Sequence, residues 1–302
     1  MMPDAPVPTI DFSALQSTGA RPYDDEGLFA RDVDGQLIRV EKATANDFDT
    51  DVHLRIDGQS LVLKKAVPQR DSQGNIIRDA QGQPVPRYST IYDAATEAFV
   101  HQPGDLNPIP TLCHKEHLPP VGVCRVCVVE VTETTRRGPM RKLVPACVQR
   151  ASEGMEIHTL ASTADPEAAA RVRAATRTIV ELLVADHLPT TNGVCQTTDQ
   201  AGAGNELAEL AQRLDITRSR FAPLAINRGQ DHTSLMIAVD HNQCILCGRC
   251  QRGCDWLKHN NVIGRSGKGY ASVISFDLGL AMGDSSCVSC GECAVSCPTG
   301  AL

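Results

Sequence analysis

Residues 244–254 read CILCGRCQRGC and residues 287–298 read CVSCGECAVSCP, so the spacing C-x2-C-x2-C-x3-C occurs twice near the carboxy end of the chain. Three thiolates on one tight loop can cap three corners of an iron–sulfur cubane while the fourth cysteine crosses to a second cluster. The spacing therefore assigns Cys244, Cys247, Cys250 and Cys297 to one [4Fe–4S] cluster and Cys254, Cys287, Cys290 and Cys293 to another. Gly248 and Gly291 each follow a ligand and suit tight loops whose amides point at sulfur. The first motif places Asp255 after its last cysteine, where proline is common. Structural zinc is the alternative, but it draws on two separated cysteine pairs around one tetrahedral ion.

Working outward, 13 cysteines occur in 302 residues, and four more form the set Cys113, Cys124, Cys127 and Cys147, leaving Cys195 alone. Upstream of this set, Val52–Ile56 and Ser60–Leu63 alternate apolar and polar around Asp57-Gly58, the pattern of a two-residue hairpin. Thr90 to Asp93 carries a capping-box pattern at a helix start. Hairpin, helix, then cysteine loop is the order in which a β-grasp ferredoxin presents thiolates to a [2Fe–2S] centre. Two turn-rich near-copies, RDSQG at 70–74 and RDAQG at 78–82, read as an inserted surface loop or hairpin over about 67–88. The basic stretch Thr134–Lys142 reads as a lengthened hairpin before Cys147.

Between the cysteine regions, Asp165-Pro166-Glu167 opens a helix running to Ala185, and a second helix is expected over Glu206–Leu214. Leu235–Val239 reads as a strand. The fold expected is α+β: an amino-terminal extension (1–50), a [2Fe–2S] domain (51–160), a helical connector (161–232) and a two-cluster domain (233–302). With 29 Lys+Arg against 36 Asp+Glu and no Lys/Arg-rich run with interleaved aromatics, the chain lacks the electrostatic footprint of nucleic-acid binding. No apolar run approaches a membrane span, and the amino terminus carries no secretory pattern, so a cytoplasmic location is expected. Free thiols in such numbers suit that reducing setting and point to metal ligation. GRSGKG at 264–269 fails the phosphate-loop pattern. His114 and His117 read as surface histidines, and Lys115, Arg125 and Arg249 as solvated cations near the clusters.

TLCHKEHLPPVGVCRVCVVEV (111–131) with LVPACV (143–148) resembles the [2Fe–2S] domain of a superfamily of NAD-linked enzymes. Its members are the large iron–sulfur subunit of respiratory complex I, the small diaphorase subunit of NAD-reducing nickel–iron hydrogenases, iron-only hydrogenases and NAD-dependent formate dehydrogenases. CILCGRCQRGCDWLKHNNVIG (244–264) with DSSCVSCGECAVSCPTGAL (284–302) resembles the paired-cluster domain of its hydrogenase and formate dehydrogenase members, and together the matches cover about 52–302. These families place a His-x3-Cys-x2-Cys-x5-Cys cluster between the two. Here the flanks LLVADH (182–187) and ELAELAQRLDI (206–216) persist, but Thr191 and Asn205 stand at cysteine positions. His187 and Cys195 are therefore expected not to hold a cluster.

The resemblance implies one [2Fe–2S] and two [4Fe–4S] clusters passing single electrons between a flavoprotein partner and a catalytic metal subunit. That subunit is expected to be a molybdenum or tungsten formate dehydrogenase, with a nickel–iron hydrogenase or a complex I-like assembly as the alternative. The chain is either a complete small subunit or the front of a larger catalytic chain. No catalytic residue is recognised within it, and a non-turnover iron–sulfur scaffold or redox sensor is the alternative of another class.

Overall fold

The computed structural model describes residues 29–31, 37–39, 45–71, 73–135, 138–187, 190–191, 194–195, 204–221 and 227–302. Most of the extension expected over 1–50 lies outside them. Its described parts are an antiparallel ladder of β1 (Phe29–Arg31) with β2 (Leu37–Arg39) and a 3-10 turn at Ala45–Phe48. The central feature of the first half is a mixed five-stranded sheet in the order β4-β3-β9-β7-β8. Its strands are β3 (Asp51–Ile56), β4 (Gln59–Lys64), β7 (Val128–Thr135), β8 (Gly138–Pro145) and β9 (Glu156–His158). β3 pairs antiparallel with β4 and parallel with β9.

Strict alternation along β3 buries Val52, Leu54 and Ile56 while His53 and Arg55 face out, as period-two patterning requires. The hairpin turns at Asp57 and Gly58, both with positive φ, the requirement of a two-residue primed turn. The Asp57 carboxylate then accepts hydrogen bonds from the Thr159 amide and hydroxyl, tying the turn to the residue just beyond β9. Helix α1 (Ile91–Phe99) starts at Thr90 with the expected reciprocal capping box with Asp93. It packs Ile91, Ala94 and Ala95 against the sheet. The inserted segment is a hairpin, with β5 (Ala66–Pro68) pairing β6 (Pro86–Tyr88). Its two near-copies fold alike. Asp71 accepts from the Gln73 and Asn75 amides while Arg70 donates to the Gly74 carbonyl, and Asp79, Gln81, Gln83, Arg78 and Gly82 repeat the arrangement.

Helix α2 (Pro166–His187) is capped by the Asp165 carboxylate, which accepts from the Ala168 amide. A two-pronged bond from Arg171 to the nearly buried Glu130 docks it on β7. α3 (Glu206–Arg213) packs against α2, and their core of Val180, Val184, Leu207, Leu210 and Ile216 also takes in Leu112 and Val126 from the first cysteine region. Glu181, 1% exposed, is held by Arg177 and Arg220. The short ladder β10 (Thr190–Thr191) with β11 (Val194–Cys195) follows α2.

The strand expected over Leu235–Val239 does not form. The pairing here is β12 (Gln230–Asp231) with β13 (Val239–Asp240), and Leu235 is fully exposed. The Asp231 carboxylate accepts from the Thr233 amide and, across to the later loop, from the Met282 amide, turning the chain before an apolar strand can start. Beyond it lie α4 (Arg249–Arg252), the hairpin β14 (Ile263–Ser266) with β15 (Val273–Phe276), and α5 (Glu292–Ser296).

Candidate iron–sulfur sites

Cys113, Cys124 and Cys127 lie on the loop between α1 and β7, and Cys147 just past β8, so the long hairpin returns the fourth thiol to the other three. The Cys127 and Cys147 sulfurs are 3.4 Å apart, and Cys113 shares hydrogen bonds with Cys124 and Cys147. Those bonds, together with the Val123 and Cys124 amides, hold the Cys113 thiol down at about 2, and Cys124 and Cys147 are pushed up in turn. The loop needs left-handed backbone at Gly122 and Arg125, with φ of 63° and 60°. A Cβ at Gly122 would lie 2.9 Å from Val148 Cγ2.

The two carboxy-terminal motifs adopt one conformation twice. Leu246 and Ser289 take φ of 53° and 54°, and Gly248 and Gly291 take 71° and 79°. In each loop the third residue's amide bonds back to the first cysteine, Leu246 to Cys244 and Ser289 to the Cys287 sulfur at 3.4 Å. Cys297 lies close enough to Cys244, Cys247 and Cys250 to influence each, and burial pushes the Cys247 thiol up to about 12 and raises Cys250 as well. Cys254 senses Cys290, and Cys293, pushed up to about 11 by burial, senses Cys287 and Cys290. Cys250 also senses Cys293 of the other motif.

Asp255 now has a structural role. α4 continues into a π-helical turn at Gly253–Leu257 that carries Cys254, and the Val262 amide donates to its sulfur at 3.4 Å. Proline at 255 would remove a helical N–H, whereas Pro298 follows Cys297 where α5 has already ended. Such π turns often mark functional positions. These donor sets suit polynuclear clusters: thiols in fours, with backbone amides aimed at sulfur.

Two expectations about neighbours are corrected. Arg249 is 1% exposed, not solvated; it forks onto Glu206 at 2.7 and 2.8 Å and donates to the His114 carbonyl. His114 is no surface group: it packs edge-on against Tyr92, and burial lowers it to about 4. Lys115 pairs with Glu206 at 3.5 Å. Residue-by-residue reading also missed Arg252, which donates to the carbonyls of Cys113, Pro119, Gly248 and Cys247. Its only sequence signal is an arginine three residues after Arg249, between cysteines.

His187 is half-buried, and the lost hydration lowers its pKa; its Nδ1 lies 3.2 Å from the Asn242 carbonyl. The Cys195 side chain lies outside the described residues. Asn205 is the N-cap of α3: its Oδ1 accepts from the Ala208 amide, and its Nδ2 donates to the Thr299 carbonyl. The Glu206 amide donates to the Pro298 carbonyl, so α3 grips the loop of Cys297.

The class follows from these sites and from the domain matches. Residues 79–162 match the 2Fe-2S iron-sulfur cluster binding domain, and residues 237–301 match the 4Fe-4S dicluster domain. The chain is similar to an NADP-reducing hydrogenase subunit HndD of Solidesulfovibrio fructosivorans, 31% identical over 75% of this chain and 35% of that protein. It is also similar to a subunit of the NADH-quinone oxidoreductase of Rhizobium meliloti (strain 1021), 30% identical over 74% of this chain and 23% of that protein. A Staphylococcus aureus (strain USA300) protein whose name carries a formate dehydrogenase assignment is 26% identical over 64% of this chain and 18% of its own length. The chain therefore spans about a third or less of these relatives. A crystal structure of NAD+-reducing [NiFe]-hydrogenase in the H2-reduced state shares the fold, with a TM-score of 0.60, 23% identity, and coverage of 83% of this chain and 86% of that one. The chain belongs to the iron–sulfur electron-transfer superfamily that joins NAD(P)-reducing hydrogenases, complex I large iron–sulfur subunits and NAD-dependent formate dehydrogenases.

Proposed function

We propose that this chain is an electron-conducting region of a multisubunit NAD(P)-linked oxidoreductase, holding one [2Fe–2S] and two [4Fe–4S] clusters in a row. The observation that carries the reading is the spacing of twelve cysteines in three sets of four, the two carboxy-terminal sets exchanging Cys254 and Cys297. Cys113, Cys124, Cys127 and Cys147 would hold the [2Fe–2S] cluster. Cys244, Cys247, Cys250 and Cys297 would hold one cubane, and Cys254, Cys287, Cys290 and Cys293 the other. Bound there, the clusters supply single-electron transfer, while the chain sets their spacing, burial and hydrogen bonding to sulfur. The corresponding domains run over about 51–160, 161–232 and 233–302, with a β-grasp fold in the first. Asn205, committed to capping α3, supports reading His187 and Cys195 as holding no cluster. A cytoplasmic setting, where thiols stay reduced, belongs to the same reading.

The partners proposed are a flavoprotein that exchanges hydride with nicotinamide and a catalytic metal subunit. A molybdenum or tungsten formate dehydrogenase is the terminal enzyme favoured by the paired-cluster motif. A hydrogenase is the second reading, supported by the higher identity to a hydrogenase subunit. Rapid mixing of the anaerobic chain with its reduced flavoprotein partner tests conduction: the clusters are expected to reduce within one enzyme turnover. Clusters that stay oxidised through many turnovers would leave the sensor reading instead. Elemental analysis of the native assembly decides between molybdenum or tungsten and nickel.

A further inference from the structure

Arg252 is 8% exposed, and every hydrogen bond of its guanidinium ends on a backbone carbonyl. Among the described residues it takes part in no salt bridge, in contrast to its neighbour Arg249, which is matched by Glu206. A buried guanidinium remains charged, and burial without an anion beside it is unfavourable. Two of the carbonyls it holds belong to Cys113 and Cys247, whose sulfurs would be thiolates once clusters are bound. One cation therefore faces ligands of both the first cysteine set and the second, and it bonds to the carbonyl of a ligand from each.

We propose that Arg252 is a positioning residue that clamps the [2Fe–2S] site to the Cys244/Cys247/Cys250/Cys297 cubane site and sets the reduction potentials of both through its fixed charge. The inference rests on the cluster assignment above. Each oxidised four-thiolate cluster carries about −2 charge, and reduction adds another electron. A positive charge between two such centres favours the reduced state of each, and its hydrogen bonds to Cys113 and Cys247 fix their separation. Arg249 of α4, held by the Glu206 carboxylate of α3, braces the same junction by donating to the His114 carbonyl. The hydrogen bonds of Arg252 do not reach the remaining cubane site, which is built from Cys254, Cys287, Cys290 and Cys293.

The test compares R252Q and R252K with the unaltered full-length chain, purified anaerobically, using iron content and redox titration followed by electron paramagnetic resonance. With full iron, R252Q is expected to lower the midpoint potentials of the [2Fe–2S] centre and of one cubane together, with the other cubane shifting least. R252K, which keeps the charge, is expected to restore most of both shifts. A shift at one centre only, no shift, or R252K behaving as R252Q overturns the proposal. Should R252Q lose iron, the unaltered chain still decides. With all clusters reduced, the [2Fe–2S] signal must show splitting or accelerated relaxation from a neighbouring spin, and an isolated spectrum overturns the proposal. A chain that assembles no iron–sulfur centre at all would instead refute the cluster assignment itself.

Discussion

Replacing Asn205 by alanine removes two bonds at once. The cap on the Ala208 amide contributes about 1 kcal/mol. The bond to the Thr299 carbonyl contributes about 1 kcal/mol more. The buried site adds little room for water to compensate, since Asn205 is 3% exposed. N205A should therefore weaken the docking of α3 on the Cys297 loop by about 2 kcal/mol, which is roughly a 30-fold rise in local opening. Native-state hydrogen exchange at the first-turn amides of α3 should quicken by that factor, and chelator should strip iron from the cubane that uses Cys297 before the others. N205D separates the two contributions, because aspartate caps a helix as well as asparagine but cannot donate to Thr299. Exchange and iron loss in N205A indistinguishable from the parent would refute the view that α3 clamps this loop.

C297S and C254S should each remove a different cubane while leaving the [2Fe–2S] signal, a result read by iron content and low-temperature spectra; loss of the same centre in both would break the crossed assignment. G122A should disturb only the [2Fe–2S] centre. It forces a Cβ into a left-handed residue and against Val148, a strain of about 1–2 kcal/mol, and visible absorbance of the purified chain reports it. Glu130 has its carboxyl held below the ordinary value, chiefly by the Arg171 hydrogen bonds. A lowered folded-state value gives stability that is present above the unfolded carboxylate range and is lost as pH falls through the folded value. Melting curves from neutral to acid pH should show this loss, and E130Q should flatten it.

Much of the fold was legible because its signals are local. The alternation in 52–56, the Asp57-Gly58 turn, the Thr90 capping box and the Asp165 cap each lie within a few residues, and each forms as read. The paired RDSQG and RDAQG turns are likewise set by their own aspartates. Leu235–Val239 misled because its apolar run is overruled by Asp231, whose carboxylate reaches Met282 from far along the chain. Arg249 and His114 were read as solvated because nothing in their neighbours announces burial; each is covered by elements distant in sequence.

The sequence by itself determined the spacing of the cysteine motifs, which lets residues three apart on one loop reach a common cluster, and Gly248 and Gly291 permit that loop. Tertiary structure alone decided how the sets are joined. Arg252 meets the Cys113 carbonyl across 139 residues, and Asn205 meets Thr299 across 94. Such contacts depend on the packing of α2 and α3 between the two cysteine regions, and burial converts an ordinary arginine and an ordinary asparagine into residues that link those regions.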